Sequence, residues 1–268
     1  MKIAFIGCGN MGGALVAGIA KKKAAVGSDI YLYDKDSAKM NEIAKKTKGN
    51  VTESAKDAAK KADVVFICVK PNITGLVTEE IKSEMNGKIL VSIAAGVTVT
   101  SYLNILGAGA KIVRCIPNLP AMVGSGITGV FFYNFTESDD KSGIIKLFEA
   151  VGDVVTVNSE KMIDEMIAVT SSSPAYFCMI LEAMADQAVA AGFTRKDAIK
   201  MAANAMRGTA DYIIKNDKHP AVLKDEVCSP GGTTIEAVVA MEEAGLRQSL
   251  QKGMKACRKK AVKTEGYV

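Results

Sequence analysis

Five short apolar runs, KIAFI (2–6), IYLY (30–33), VVFICV (64–69), KILVSI (88–93) and KIVRCI (111–116), punctuate the first half of this chain. Amphipathic or Ala/Lys-rich stretches separate them, which is the βαβ pattern of a parallel sheet. The runs are almost continuously apolar, as strands buried on both faces are, rather than alternating. GITGVFFY (126–133) and VVTV (154–157) extend the sheet, with a helix expected from about Ser138 to Val151 between them.

The first run feeds IGCGNMGGAL (6–15). Gly7, Gly9 and Gly12 stand at GxGxxG spacing between a strand and a helix, the context a dinucleotide-binding turn requires. The first glycine permits the tight turn and the second lets the backbone approach a pyrophosphate lying on the helix N-terminus. The third lets helix pack on strand. Asp34 follows the second strand, where an acid suits the ribose 2′-hydroxyl of NAD and repels the 2′-phosphate of NADP. Lys35 and Lys39 follow it and are placed to neutralise such a phosphate, so the cofactor is NAD or NADP.

After about Glu160 the strand signal stops. Tyr176, Phe177, Ile180, Leu181, Met184, Ala188 and Ala191 recur at helical spacing between Pro174, suited to a first turn, and Gly192, suited to a stop. Thr194 is placed to cap a helix reaching about Lys215, another starts near Thr233, and a fourth runs from about Leu246. The fold class is therefore α/β: a Rossmann-type doubly wound sheet over 1–159, then an all-α domain over 160–268. Segments such as EAMADQAVAAG (182–192) offer few large side chains for a private core. Either the helices interlock with a second copy, or alanine is there for helix propensity alone.

A second glycine loop, SPGGTTIEAV (229–238), also runs into a helix. Thr233 and Glu236 fit a capping box, with Thr233 as N-cap and Glu236 at N3. No strand precedes this loop, so it is not a second nucleotide site. Its backbone N–H groups and the helix dipole suit a small carboxylate. Pro230 stiffens the loop, while Gly231 and Gly232 keep it clear of side chains.

Length and composition narrow the alternatives. The 268 residues, 49% hydrophobic and 24% charged, suit two globular domains. A net charge of +5, no tryptophan and no aromatic–basic interleaving argue against nucleic acid. MKIAFIG reads as a strand rather than a leader, and no apolar run approaches the roughly 20 residues of a membrane span. A soluble cytoplasmic protein is expected. The six cysteines include no CxxC pair, and the single histidine, His219, completes no zinc site, so no metal is expected. His219 precedes Pro220 as a solvated or helix-capping residue, and neither a Ser/His/Asp set nor a Tyr-x-x-x-Lys pair is present. A dinucleotide with an anion cradle points to hydride transfer onto a protonated imine, which needs less acid catalysis than a carbonyl.

At this point the motifs IGCGNMGGAL (6–15), VKPN (69–72), SIAAGVT (92–98), IPNLPA (116–121), SSSPAY (171–176), HPAVLKDEVCSPGGTTIEAV (219–238) and MEEAGLR (241–247) resemble those of the pyrroline-5-carboxylate reductases. The resemblance implies reduction of 1-pyrroline-5-carboxylate to L-proline with NADPH or NADH. It implies that Gly7, Gly9, Asn10, Met11, Gly12, Val69, Lys70, Pro71, Ala95 and Gly96 line the cofactor. It further implies that Ser229, Gly231, Gly232 and Thr233 grip the substrate carboxylate, with Thr234 bonding the ring nitrogen as the catalytic residue. Helical domains interlocked as a homodimer, in some members built into rings, are implied too. The chain departs from the family pattern at Ser171 and Leu119, where glycine and threonine are common. Two other readings stay in view. A β-hydroxyacid dehydrogenase wants a GxxxK-type helix, which Lys161 does not provide, and a non-enzymatic NAD sensor leaves SPGGTT unexplained.

Overall fold

The computed structural model describes residues 1–137, 139 and 141–263. They form two compact units, Met1–Ser171 with the segment from Cys257 onward, and Ser172–Ala256.

The first unit runs β1 (Ile3–Ile6), α1 (Asn10–Lys21), β2 (Ile30–Tyr33), α2 (Ser37–Thr47), β3 (Asn50–Val51), α3 (Ala55–Lys61), β4 (Val64–Ile67) and α4 (Pro71–Ile81). It continues with β5 (Ile89–Ser92), α5 (Val99–Leu106), β6 (Lys111–Ile116), β7 (Gly126–Tyr133), α6 (Lys141–Glu149), β8 (Gly152–Thr156) and α7 (Glu160–Met166). The strands form one sheet in the order β3-β2-β1-β4-β5-β6-β7-β8. All pairs are parallel except β6 with β7. Strand order reverses at β1, which is flanked by β2 and β4, so the crevice beyond its C-terminal end is the expected ligand position.

Pleating explains the unbroken apolar runs. Ile3 and Phe5 of β1 face Leu15, Val16 and Ile19 of α1; Phe5 stacks on Phe66 of β4 at 4.4 Å, and Phe66 in turn meets Phe148 of α6 at 5.8 Å. Ala4 and Ile6 point the other way, towards Ala55, Ala58 and Ala59 of α3 and Tyr102 of α5. The central strands are therefore covered on both faces, and all four residues of β1 and of β4 are buried.

All seven strands expected from the sequence form, with β8 two residues earlier than VVTV suggests. The helix expected from Ser138 begins at Lys141 among the described residues, and Ser138 itself lies outside them. Strand β3 and helix α3 are too short to be read from periodicity. After α7 the helix widens into a π turn, Ile167–Ser171. Asn118, buried beyond the end of β6, donates from Nδ2 to Thr170 O (3.0 Å) in this turn and accepts from Ile127 N–H (2.9 Å).

The second unit holds α8 (Ser173–Ala190), α9 (Arg195–Asn216), α10 (Pro220–Val227), α11 (Thr233–Glu243) and most of α12 (Leu246–Lys263). Thr194 caps α9 through Asp197 N–H, as expected. His219 is a helix cap: its Nδ1 accepts from Ala221 N–H at the start of α10, a helix missed in the sequence. Among the described residues of this unit, Ala185, Ala198 and Ala202 are the buried hydrophobics. Met179 is 71% exposed and Ile214 is 68% exposed.

No apolar run of about 20 residues was expected, yet one helical stretch qualifies by length and composition. Residues 160–190, comprising α7, the π turn and α8, form a stretch long and apolar enough to cross a membrane by length and composition alone. Its Ile, Met, Val and Ala residues are interleaved with Ser and Thr, so no unbroken apolar run marks it.

Candidate active site

Parallel strands deliver their C-terminal ends to one edge of the sheet. There the structure gathers Gly7–Gly12 after β1, Asp34 after β2, Val69–Pro71 after β4, and Ala95 and Gly96 after β5. Gly7 has φ +105°, and a Cβ on it would lie 2.7 Å from the Cys68 carbonyl. Gly12 lies so close to β1 that a Cβ would sit 2.2 Å from Gly7 O. Gly9 is the N-cap of α1, with no side chain capping the helix, and a Cβ there would find no atom within 4 Å. Glycines one and three thus meet backbone, while glycine two faces open space. The free N–H groups of Asn10, Met11 and Gly12 point where an anion is stabilised by the helix dipole.

Asp34 joins this loop directly. Its Oδ2 accepts from Cys8 N–H (2.5 Å) and its Oδ1 from Asp36 N–H (2.8 Å). Burial, reinforced by the Asp34 charge, pushes the Cys8 thiol up to about 12, so no thiolate competes with a bound anion. Beside Asp34 lies a cavity of about 170 Å³ lined by Tyr33, Lys35, Val69, Ile73, Leu76 and Glu80, among others. Its α4 residues escaped the sequence reading because nothing local distinguishes them from an ordinary amphipathic helix. Of the two lysines considered for phosphate neutralisation, Lys35 lines this cavity and Lys39 is paired with Asp36 at 3.2 Å. Lys70 is the exposed N-cap of α4, Pro71 occupies its first turn, and Gly96 holds φ +76°.

In the second unit, Gly232 N–H donates to Ser229 O at 3.0 Å across Pro230 and Gly231. Proline second and a left-handed glycine third (Gly231, φ +65°) is the arrangement of a type II turn. The capping box expected at Thr233 does not form. Gly232 is the N-cap of α11 (φ −83°, ψ 168°), Thr233 is its first helical residue, and no side chain caps the end. The type II turn places the extended N-cap geometry one residue earlier than the Thr233/Glu236 pattern suggests, on glycine, a residue accepted there. The consequence favours a ligand, since the first-turn N–H groups of Thr233, Thr234 and Ile235 stay free. Thr234 also lines an open groove of about 620 Å³ with Thr209, Tyr212 and Ile213 of α9, Cys228 and Val238. The predicted residues therefore form two clusters, one in each unit, each built on an uncapped helix N-terminus.

Two family models and several known proteins match this chain. Residues 160–264 match the family described as pyrroline-5-carboxylate reductase dimerisation, and residues 2–96 match that described as NADP oxidoreductase, coenzyme F420-dependent. A pyrroline-5-carboxylate reductase of Escherichia coli K12 is 41% identical over 98% of this chain and 97% of its own. The solved structure of a pyrroline-5-carboxylate reductase from Coxiella burnetii aligns with a TM-score of 0.94 at 31% identity, covering 99% of this chain and 98% of that one. The Plasmodium falciparum pyrroline carboxylate reductase, solved with NADP bound, aligns with a TM-score of 0.86 at 27% identity, covering 99% and 98%. A relative this similar along nearly the whole length settles the matter: the chain belongs to the pyrroline-5-carboxylate reductase family.

Proposed function

We infer that this chain reduces 1-pyrroline-5-carboxylate to L-proline, the last step of proline biosynthesis, with NADH or NADPH as hydride donor. The observation that carries the reading is the uncapped α11 N-terminus behind the Ser229–Gly232 turn, a carboxylate cradle separate from the nucleotide loop. The α1 N-terminus, left open at Gly9, suits the pyrophosphate of the dinucleotide. When bound, the reduced nicotinamide supplies the hydride. The residues of the chain bind, orient and hold the proton. The N–H groups of Thr233, Thr234 and Ile235 hold the substrate carboxylate, and the Thr234 hydroxyl bonds the ring nitrogen. That bond keeps the nitrogen protonated, so the imine carbon accepts hydride without a separate acid. Oxidation of NAD(P)H followed with pyrroline-5-carboxylate and with hydroxyacids tests this. Turnover with the hydroxyacids alone, or tight binding with no turnover, would overturn it.

Cofactor preference is assigned to Asp34. Its carboxylate repels a 2′-phosphate at the edge of the adenine-side cavity, so NADH should serve at least as well as NADPH. Asp34→Ser is expected to raise the NADPH-to-NADH ratio of kcat/KM. Because the variant also loses the bond to Cys8 N–H, both absolute values should fall. An unchanged ratio would remove Asp34 from the ribose.

The second unit is proposed to complete its core against a second copy of the chain, interlocked through residues after about Glu160. Helices with three buried alanines and exposed Phe177, Met179 and Ile214 have no sufficient core of their own. The same pairing would cover the apolar residues of 160–190, and a cytoplasmic location is proposed for the enzyme. Light scattering at assay concentration should give a dimer or a multiple of one. An active monomer would overturn the interlocked dimer.

A further inference from the structure

An arginine sits in the middle of the buried strand β6. Arg114 is 1% exposed. One Nη donates to Glu160 Oε1 (2.9 Å) and Asp164 Oδ2 (3.0 Å), and the other to Asp164 Oδ1 (2.5 Å). Two carboxylates surround one guanidinium. Buried ion clusters are weak stabilisers compared with apolar packing, so adhesion of α7 to the sheet does not explain the second carboxylate. What Glu160 adds is a reach across the sheet edge. Its Oε1 also accepts from Val99 N–H at 2.6 Å, and Val99 is the first residue of α5, where the helix dipole favours a negative charge.

Helix α5 follows directly on the loop 93–98, which holds Ala95 and Gly96. At the start of that loop, Ser92 Oγ accepts from Ala94 N–H (3.2 Å) and lies 2.5 Å from the buried Tyr102 hydroxyl. Both ends of the loop are thus tied by polar side chains. The tie at Ser92 is internal to β5 and α5. The tie at Glu160 comes from α7, beyond the end of the sheet. Asp34 marks the adenine side of the crevice on β2, so the loop after β5, across β1, lies towards the nicotinamide half.

We propose that Glu160, held in place by Arg114, is a positioning residue for the dinucleotide: it sets the loop 93–98 against the nicotinamide half of the cofactor. The proposal rests on the reading that the first unit binds NAD(P)H. The test is calorimetric titration of NADH into the full-length protein and its Glu160→Ala, Glu160→Gln and Glu160→Asp variants, beside thermal melts and steady-state kinetics. Glu160→Ala should bind NADH about tenfold more weakly, the worth of one charge-assisted hydrogen bond. Its KM for NADH should rise with it, while KM for the imine stays near the parent value. Glu160→Gln keeps an acceptor oxygen for Val99 N–H and should recover most of the affinity. Glu160→Asp keeps the charge beside Arg114 but withdraws it from Val99, so it should resemble alanine, and it carries the test if the alanine variant does not fold. Parent-like NADH affinity in both Glu160→Ala and Glu160→Asp, with a lowered Tm alone, would overturn the proposal and leave Glu160 a packing residue. Failure of the parent protein to bind NADH or NADPH would overturn the underlying dinucleotide reading and this proposal with it.

Discussion

Gly9→Ala is expected to fold like the parent chain yet bind NADH and NADPH between about fivefold and a hundredfold more weakly, the range one overpacked methyl spans. The new Cβ would meet nothing within 4 Å, and the backbone at Gly9 (φ −67°) is open to any residue. Stability should therefore change by no more than about 1 kcal/mol, the difference between glycine and alanine at an N-cap. The methyl would instead occupy the space a pyrophosphate needs in front of α1. Gly12→Ala makes the contrast. Its Cβ would lie 2.2 Å from Gly7 O and 3.0 Å from Cys68 Cβ, contacts that force α1 off the sheet. That variant should lose about 1–3 kcal/mol of stability as well as binding. Thermal melts beside calorimetric titrations separate the two effects. Were Gly9→Ala to bind both dinucleotides as the parent does, the phosphates would not rest on α1.

Thr234→Ala should lower kcat/KM for pyrroline-5-carboxylate by about ten- to a hundredfold, since a hydrogen bond to a charged partner is worth about 1.5–3 kcal/mol. The threonine lies on the first turn of α11, beside the free N–H groups proposed for the carboxylate, and lines the groove against α9. NADH affinity should stay unchanged, because the nucleotide loop belongs to the other unit. Thr233→Ala is the control. With Gly232 as the N-cap, Thr233 contributes no side-chain cap, so its loss should leave Tm almost unmoved. A Thr234→Ala enzyme with near-parent kcat/KM would mean that the carboxylate cradle alone activates the protonated imine.

Both glycine loops were legible in the sequence because glycine's work is local: Gly7 and Gly231 occupy positive φ, and Gly12 is pressed against backbone a few residues away. The main strands were legible for a related reason. A strand covered by helices on both faces cannot hide polar residues, so burial writes itself as an apolar run. Register at helix ends was less secure, and Thr233 shows why. Thr233 with Glu236 satisfies the capping pattern, yet the turn that precedes it gives the N-cap to Gly232. Helices α7 and α10 were missed because the first is one short segment before a π turn and the second is capped by a histidine followed by proline.

Arg114 carried a signal that sequence could not decode. A guanidinium in KIVRCI contradicts a buried strand unless carboxylates answer it, and those lie 46 and 50 residues further on. Local chemistry in the chain alone determined the doubly wound sheet, the all-helical second half and the two glycine loops that open helices. Each depends on residues within one turn or one strand of each other. Tertiary structure alone decided that Glu160 reaches Val99, that Asp34 bonds the glycine loop, and that the second unit lacks a core of its own. These arise when distant segments bring charge and surface together, and no spacing along the chain encodes that meeting.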